Sequence, residues 1–503
     1  MNPTIPEASD DGEHSLIVIG AGTAGLPCAI GAAAAGAKVL VIEKSHRIGG
    51  TLHYSTGHLS AAGTSLQRKR GITDTVEDHL ADLDRISHCL SRADLVRQAV
   101  TAAPDTVEWL LDRGFDVDPE TPRILYGHEP YSIPRTYYGR SGGLSILEVL
   151  HGELEKWQRR GSIEVWLATA VVGLRATASC IEIETEGRHG SRLLTATEVV
   201  LATGGFASSP ELLAEFDGAP AAVSAASPTS TGDGLLLAQE LGAAVASTGR
   251  QLPGFGCLEH PGTSGRIDRT VERVALIAQE REPAEIYVTE QGRRFIAEDD
   301  PSIDRKERAL AALPGWQFWA VFDAAALELP GPRLVPGWSV ADFTRHANAR
   351  PDLVMADSIP GLAEAAGLPT GQLNTTIEDF NRFAGGAADD PLGRLRGRHP
   401  IGRAPYFALR LRGQVSVSFA GIDVDSQLRV RRADGSIIPG LSAVGEAIGC
   451  GATGGDAYCG GMMVTPALSL GRALGERLAN RACAPRDRSV ADLQTPPEER
   501  ADR

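Results

Sequence analysis

The stretch Ser15-Leu-Ile-Val-Ile-Gly20-Ala-Gly22-Thr23-Ala24-Gly25-Leu26 sets the architecture of the chain. An apolar run, Leu16 to Ile19, breaks into three glycines, and a small-residue helix follows from Pro27 to Ala35. A second apolar run, Val39 to Ile42, ends on Glu43. The pattern reads as strand, tight turn, helix, strand, acid. Each part serves a dinucleotide. Gly20 permits the sharp turn, Gly22 lets a pyrophosphate approach the backbone, and Gly25 lets the helix pack on the strand. The helix N-terminus offers N–H groups and a positive dipole end to phosphates. Glu43 follows where an acid meets a ribose hydroxyl, which favours an unphosphorylated ribose, as in FAD or NAD.

The chain has 503 residues, 42% of them hydrophobic, enough for about three domain-sized units or two larger ones. Its 49 basic and 64 acidic residues give a formal net charge of −15. That balance argues against nucleic acid and anionic membrane surfaces as partners. No window approaches the roughly 18 apolar residues of a membrane span. Met1 to Glu13 is polar and acidic, unlike a secretion signal. The seven cysteines are odd in number and lack metal-ligand spacing, so no metal is expected. Cys28, Cys89, Cys180, Cys257 and Cys483 read as packing residues of a reducing compartment, and a cytoplasmic location follows. Cys450 and Cys459 flank a glycine-rich loop and read as packing rather than redox groups.

Asp74 to Leu90 and Asp94 to Leu111 read as amphipathic helices, Ile163 to Leu167 and Ile181 to Glu184 as strands. Glu198 to Leu201 is a buried strand running into Gly204-Gly205. From Gln251 to Leu395 tryptophan and proline rise and glycine clusters thin out, as in an inserted second domain. The expected organisation is an α/β, Rossmann-like nucleotide domain in two segments, 14–250 and 396–483, with an α+β capping domain at 251–395. A tail, 484–503, is charged, proline-bearing and expected to be disordered.

An ordered set of motifs resembles the flavoproteins that include soluble fumarate reductase, urocanate reductase and 3-ketosteroid Δ1-dehydrogenase. It comprises Val18-Ile-Gly20-Ala-Gly22-Thr-Ala-Gly25, Glu43-Lys44 with Gly49-Gly50-Thr51, Ala202-Thr203-Gly204-Gly205-Phe206 and Thr231-Gly232-Asp233-Gly234. It continues with Gly292-Arg-Arg-Phe295-Ile-Ala-Glu298, Ala404-Pro405-Tyr406-Phe407-Ala408 and Pro439-Gly440-Leu441 through Gly445-Glu446. The resemblance implies non-covalent FAD. It implies contacts from Gly20, Gly22, Thr23, Ala24 and Gly25, from Glu43, Lys44, Gly49, Gly50 and Thr51, from Ala202, Thr203, Gly204 and Gly205, from Asp233, Gly445 and Glu446, and from Ser55, Thr56, Gly57, Gly461, Thr465, Ala467 and Leu468. It places the start of the last helix, Val464 to Asn480, at the flavin N1–O2 edge, where its dipole favours negative charge. His53 and His58 lie near the segment where membrane-complex relatives attach flavin covalently, but the match is poor.

The resemblance also divides the family by substrate. Dicarboxylate reductases grip a carboxylate with an arginine and a histidine in the last glycine loop. Here that loop reads Gly449-Cys-Gly-Ala-Thr-Gly454-Gly-Asp-Ala-Tyr458-Cys-Gly460-Gly461, with Tyr458 and Gly454 at those positions. A phenol cannot replace a guanidinium fork, but it can donate one hydrogen bond to a ketone. Four of the chain's eight tyrosines lie between Tyr126 and Tyr138, joined by His128, Arg135 and Arg140. Tyr131 resembles a substrate-contacting tyrosine of ketosteroid dehydrogenases, and Arg135 joins it as a candidate. The proton-shuttling residue is expected shortly after Glu298, at Ser302 or at Arg305. Glu298, Asp299 and Arg305 are the proton-transfer candidates, and Tyr131 or an acid of Glu298-Asp299 is expected to take the α-proton.

The expected activity is therefore FAD-dependent desaturation of a CH–CH bond beside a ketone, in a small and possibly cyclic substrate. Hydride goes to flavin N5 and a proton to a side-chain base. Two rivals stand beside it: reduction of an enone or enoate, and a flavin electron-carrier subunit. The electron acceptor is unknown; neither haem-attachment nor iron–sulfur cysteine spacing is present.

Overall fold

The computed structural model describes residues 14–219, 223–259, 265–267, 274–347 and 349–482. Met1 to Glu13, Cys483 and the tail 484–503 lie outside the described residues.

The opening motif folds as β1 (His14–Ile19), α1 (Gly25–Ala34) and β2 (Val39–Ile42). Then come α2 (Ala93–Leu111), α3 (Gly143–Arg159), β3 (Ile163–Trp166), β4 (Thr169–Ala176), β5 (Ile181–Gly187) and β6 (Arg192–Leu201). The capping region supplies β7 (Gly254–Cys257), β8 (Ile286–Val288), α4 (Ile303–Ala311), β9 (Gln317–Asp323), β10 (Leu353–Ala356) and β11 (Tyr406–Val415). The chain closes with β12 (Arg429–Arg431), β13 (Ile437–Ala443) and α5 (Val464–Ala482).

An eight-stranded sheet runs β12-β13-β6-β1-β2-β3, with β5 also on β6 and β4 on β5. Its centre is parallel: Ile19 lies beside Ile42 on one side and Leu201 on the other, and Leu201 beside Ala443. Such strands are covered on both faces, so Leu16 to Ile19 and Val39 to Ile42 are all buried and uninterruptedly apolar. The register brings the carboxyl ends of four strands level. The chain turns there at Gly20, Glu43, Ala202 and Val444, the crevice where open α/β sheets bind ligands.

Helix α1 is sandwiched between this sheet and α5. A Cβ at Gly475 would sit 1.9 Å from the Cys28 carbonyl oxygen, and one at Gly471 2.6 Å from that of Ala24. The two backbones therefore touch, and α5 fixes α1 and the glycine turn that precedes it.

The second sheet, six-stranded, runs β7-β11-β9-β8, with β10 and Val223–Ser224 also on β11. Strand β9 follows the two-residue pleat. Phe318, Ala320 and Phe322 face a cluster with Phe255 and Phe407; Trp319 and Val321 face one with Ile286, Leu373 and Phe380. Here the structure departs from the expected segment limits. Tyr406–Val415 is the strand on which the capping sheet is built, so the return to the nucleotide domain falls after Val415 rather than at 396. The motif Ala404-Pro405-Tyr406 marks the entry to that strand, not the end of the insertion. Cys89, read as a packing residue, is exposed. Among the described residues, no helix is long and apolar enough to cross a membrane.

Candidate functional site

A cavity of about 400 Å³ opens where the level strand ends of the first sheet meet the capping sheet. Gly20 turns with φ +105°, and a Cβ there would lie 2.4 Å from the Ala202 carbonyl oxygen. At Gly25 a Cβ would lie 1.8 Å from the Gly20 carbonyl, prising α1 off the turn. A Cβ at Gly22 meets nothing closer than 3.9 Å, so this backbone is open to the cavity it lines. Helix α1 has no side-chain cap, and Thr23 and Ala24 line the wall at its N-terminus. This is a cradle for a diphosphate.

Glu43 sits at the end of β2. Its Oε2 accepts from the Ala21 N–H at 2.8 Å and its Oε1 from the Ser45 N–H at 2.8 Å, which aims the carboxylate into the wall. Beside it, Lys44 Nζ donates to Asp233 and to Thr231, each at 2.7 Å. Burial alone would raise the Asp233 pKa, but the hydrogen bonds it accepts from Lys44 and from Thr231 Oγ1 outweigh it and hold the carboxyl below its ordinary range. Thr203 Oγ1 is buried at the cavity wall with no hydrogen-bond partner. That hydroxyl lies against Gly234, where a Cβ would come within 2.1 Å of it. Glu446 accepts from the Ser418 N–H at 3.0 Å, and burial pushes its carboxyl up to about 7. Turn glycines, ribose acid and second buried acid together fit an FAD extended along the crevice.

Further along, Gly50, Thr51, Ser55, Thr56, Gly204, Gly445, Gly461 and Ala467 line the cavity. Others act from behind it. The Gly49 N–H donates to the Ala21 carbonyl, and that of Gly57 to Ser55 Oγ. Thr465 Oγ1 accepts from the Ser60 N–H at 2.8 Å, Leu468 is packed in the core, and Gly205 lies against Ser418 and Glu446 with no room for a Cβ.

The expected substrate-contacting residues separate into two groups. Tyr458 lines the cavity, its ring 5.4 Å from that of His128, which shares the wall. The Tyr458 hydroxyl donates to the Leu252 carbonyl at 2.9 Å and accepts from Gln251 Nε2 at 3.3 Å. Tyr131 stands one layer back, where its hydroxyl donates to the Gly460 carbonyl at 2.5 Å and so holds the glycine loop. Arg135 is fully buried and clasps two carboxylates: Asp74 through Nε at 3.0 Å and Nη2 at 2.8 Å, and Asp82 through Nη1 at 2.7 Å. None of its donors reaches the cavity.

The candidates after Phe295 are likewise held elsewhere. Glu298 accepts from the Tyr287 N–H at 3.0 Å, Arg294 Nε at 2.8 Å and Arg394 Nη1 at 3.0 Å. Asp299 accepts from the Leu395 and Arg396 N–H groups at 2.9 and 2.8 Å. Arg305 is exposed and paired with Asp300 at 2.7 Å. Ser302 caps α4 and donates to Glu129 at 2.8 Å. These residues tie the cap together; none lines the cavity.

One residue that the sequence reading passed over does. Glu307, a turn beyond Ile303 on α4, lies in the wall. Its signal was legible: Ile303, Glu307 and Leu310 follow the i, i+4, i+7 spacing of a buried stripe, with an acid in it. Its neighbour Arg308 crosses from the cap to the glycine loop and donates to Asp456 Oδ2 at 3.0 Å; Asp456 Oδ1 also meets His88 at 3.0 Å. Cys450 and Cys459 line the cavity, and burial pushes the Cys459 thiol up to about 12, so it is protonated.

A family model described as an FAD binding domain matches residues 15–463. The chain is 26% identical to a probable fumarate reductase of Shewanella frigidimarina, over 93% of this chain and 75% of that protein. It is 23% identical to a 3-oxosteroid 1-dehydrogenase of Mycobacterium tuberculosis, over 93% of this chain and 99% of that protein. Its fold is shared with a 3-ketosteroid Δ1-dehydrogenase from Sterolibacterium denitrificans solved with 1,4-androstadiene-3,17-dione. That match has TM-score 0.73 and 21% identity and covers 93% of this chain and all of that one.

Proposed function

Because the chain belongs to the FAD-binding domain family and is an FAD-dependent oxidoreductase, we propose that it desaturates a CH–CH pair beside the carbonyl of a neutral ketone. The observation that carries this reading is Tyr458, a phenol standing in the cavity wall. A phenol O–H stabilises charge that builds on a ketone oxygen as the neighbouring C–H bond weakens. In the resting structure that proton rests on the Leu252 carbonyl. A ketone oxygen would take the place of this acceptor, and Gln251 would hold the phenol in place during the exchange.

The charge of the wall supports a neutral substrate. Among the described residues the one Lys or Arg it carries is Lys44, which is paired with Asp233, so the wall offers a dicarboxylate neither a guanidinium nor an unpaired ammonium. Phe255, Val274, Leu276, Ile277 and Ile303 give the cap side an apolar lining that excludes water from the reacting carbons. Bound FAD supplies the two-electron acceptor for the hydride.

FAD is held without a covalent bond in this reading. His53 Nε2 is engaged with the Ile48 carbonyl at 2.9 Å, and His53 is not among the residues lining the cavity. Acid precipitation should leave all flavin in the supernatant. A cytoplasmic location belongs to the same reading, in keeping with the free thiols of the described cysteines. The likeness to a fumarate reductase keeps reduction of an activated double bond as the second reading.

The test uses purified FAD-loaded protein with cyclohexanone or 4-androstene-3,17-dione and the dye dichlorophenolindophenol. Bleaching of the dye is expected. Silence with every saturated ketone, joined to reoxidation of the dithionite-reduced protein by fumarate, overturns the reading.

A further inference from the structure

We propose that Glu307 is the acid–base residue of this site, the carboxyl group that takes the α-proton of the ketone or, in reverse, returns it. The inference rests on the reading of the cavity as a CH–CH oxidoreductase centre. It assigns a proton carrier that neither Glu298, Asp299 nor Arg305 can supply from where they stand.

The geometry points to this role. Glu307 is 3% exposed, and what exposure it has is to the cavity. Its carboxyl makes no hydrogen bond to any described residue. The cations of its own helix are committed elsewhere. Lys306 Nζ donates to the Leu276 and Glu298 carbonyls at 3.1 and 2.9 Å, and Arg308 is bound to Asp304 and Asp456. A buried carboxyl without a partner is costly to keep, and packing alone would be served by leucine. Cavity-facing acids of this kind are what proton transfer requires.

Its electrostatic surroundings set the basicity. Asp304 and Arg308 face it from α4, and Glu129 from the loop that also carries His128. The glycine loop opposite contributes Asp456, Tyr458 and Cys459, and Lys306 lies on the adjoining side of α4. Burial, with Asp304 next, raises the Glu307 pKa well above the ordinary value. A stronger base is thereby set against a weakly acidic C–H.

The step balances as follows. The α-C–H bond breaks and its proton bonds to the Glu307 carboxylate. The electron pair left behind becomes the new carbon–carbon double bond. The hydride displaced from the β-carbon goes to oxidised FAD, the two-electron oxidant. Glu307 then loses its proton to solvent. Desaturation therefore needs the ionised carboxylate and should accelerate as pH rises through the Glu307 pKa; reduction needs the acid and should slow.

Two readouts test the assignment. The first is independent of turnover. Infrared spectra of the FAD-loaded protein at neutral pH should show a protonated carboxylic acid band, shifted in D₂O and absent from Glu307→Gln. The second is dye-coupled turnover of cyclohexanone or 4-androstene-3,17-dione, and of the corresponding enones with dithionite-reduced protein. Glu307→Gln should lose roughly 100-fold or more in kcat with FAD content and KM little changed. Glu307→Asp should keep part of the rate, and Glu307→Ala should regain activity with added formate. Absence of the band, or a Glu307→Gln variant within threefold of the parent, overturns the role of Glu307 alone. A parent protein inert in both directions overturns the reading of the site, and this assignment with it.

Discussion

A phenol has one proton, and in Tyr458 it already has an acceptor in the Leu252 carbonyl. Under the proposed function, substrate binding is an exchange of acceptors. Tyr458→Phe should fold and bind FAD normally but lose on the order of 10²-fold in kcat with ketones, read by dye-coupled turnover; an unchanged kcat would remove Tyr458 from the chemistry. Glu446 poses a different question. Its carboxyl is raised to about 7, so the folded state holds a proton that the unfolded chain has already released above its ordinary range near 4.5. The unfolded state then binds fewer protons, and stability falls as pH rises between those values and levels off above them. Melting curves of FAD-free protein should show Glu446→Gln gaining stability over the parent between pH 5 and pH 8 (on the order of 10 °C or less) while binding FAD more weakly. Arg135 is the reverse case, a buried cation between two buried carboxylates. Arg135→Met leaves Asp74 buried without a cation, while Asp82 keeps Arg85 at 2.8 Å, and should cost about 3–5 kcal/mol in urea unfolding. The sequence showed that Arg135 and Tyr131 stand in a dense polar cluster but not which way they face. That depends on Asp74 and Asp82, which come from a distant helical segment.

At the scale of elements, the glycine contacts between α1 and α5 carry the most weight. The first turn, Gly20 to Gly25, was legible because each glycine answers to a local rule. The second half of the arrangement was not, since Gly471 and Gly475 have meaning only against Ala24 and Cys28, far away in the chain. Gly475→Val would push two packed backbones apart and should destabilise by roughly 1–3 kcal/mol or more. Because α1 carries the diphosphate cradle, FAD affinity should fall with it, measured by fluorescence titration of the apo-protein; a variant that loses stability with affinity intact would separate the two helices' roles. Strand β11 shows the opposite limit. Its alternation, Phe407 to Val415, marks a strand plainly, yet nothing local says which of two sheets receives it. Only pairing with β9 and β10 answers that.

At the scale of the molecule, the two large sheets hold a crevice between them. The nucleotide side was readable because phosphate and ribose impose fixed backbone shapes on nearby residues. The substrate side was not, because its wall is assembled from β7, the segment from Val274 to Ile277, α4 and the glycine loop, which meet only in the fold. Glu307 is the instance: an acid in an apolar helical stripe has no assignable role until the opposite wall is in view. The bridge from Arg308 to Asp456 and His88 adds a mechanical consequence. It fastens the roof of the chamber to its floor by charges that water still reaches, so dissolved salt weakens this latch far more than it weakens the cores. Deuterium uptake by the amides of α4 and of Cys450 to Gly460 should quicken in molar sodium chloride and in Asp456→Asn, with β1 and β2 unaffected. Uptake that ignores both would mean the roof is clamped by its apolar seams instead. On this view ionic strength is a throttle on the passage of molecules through the chamber, separate from the chemistry inside it.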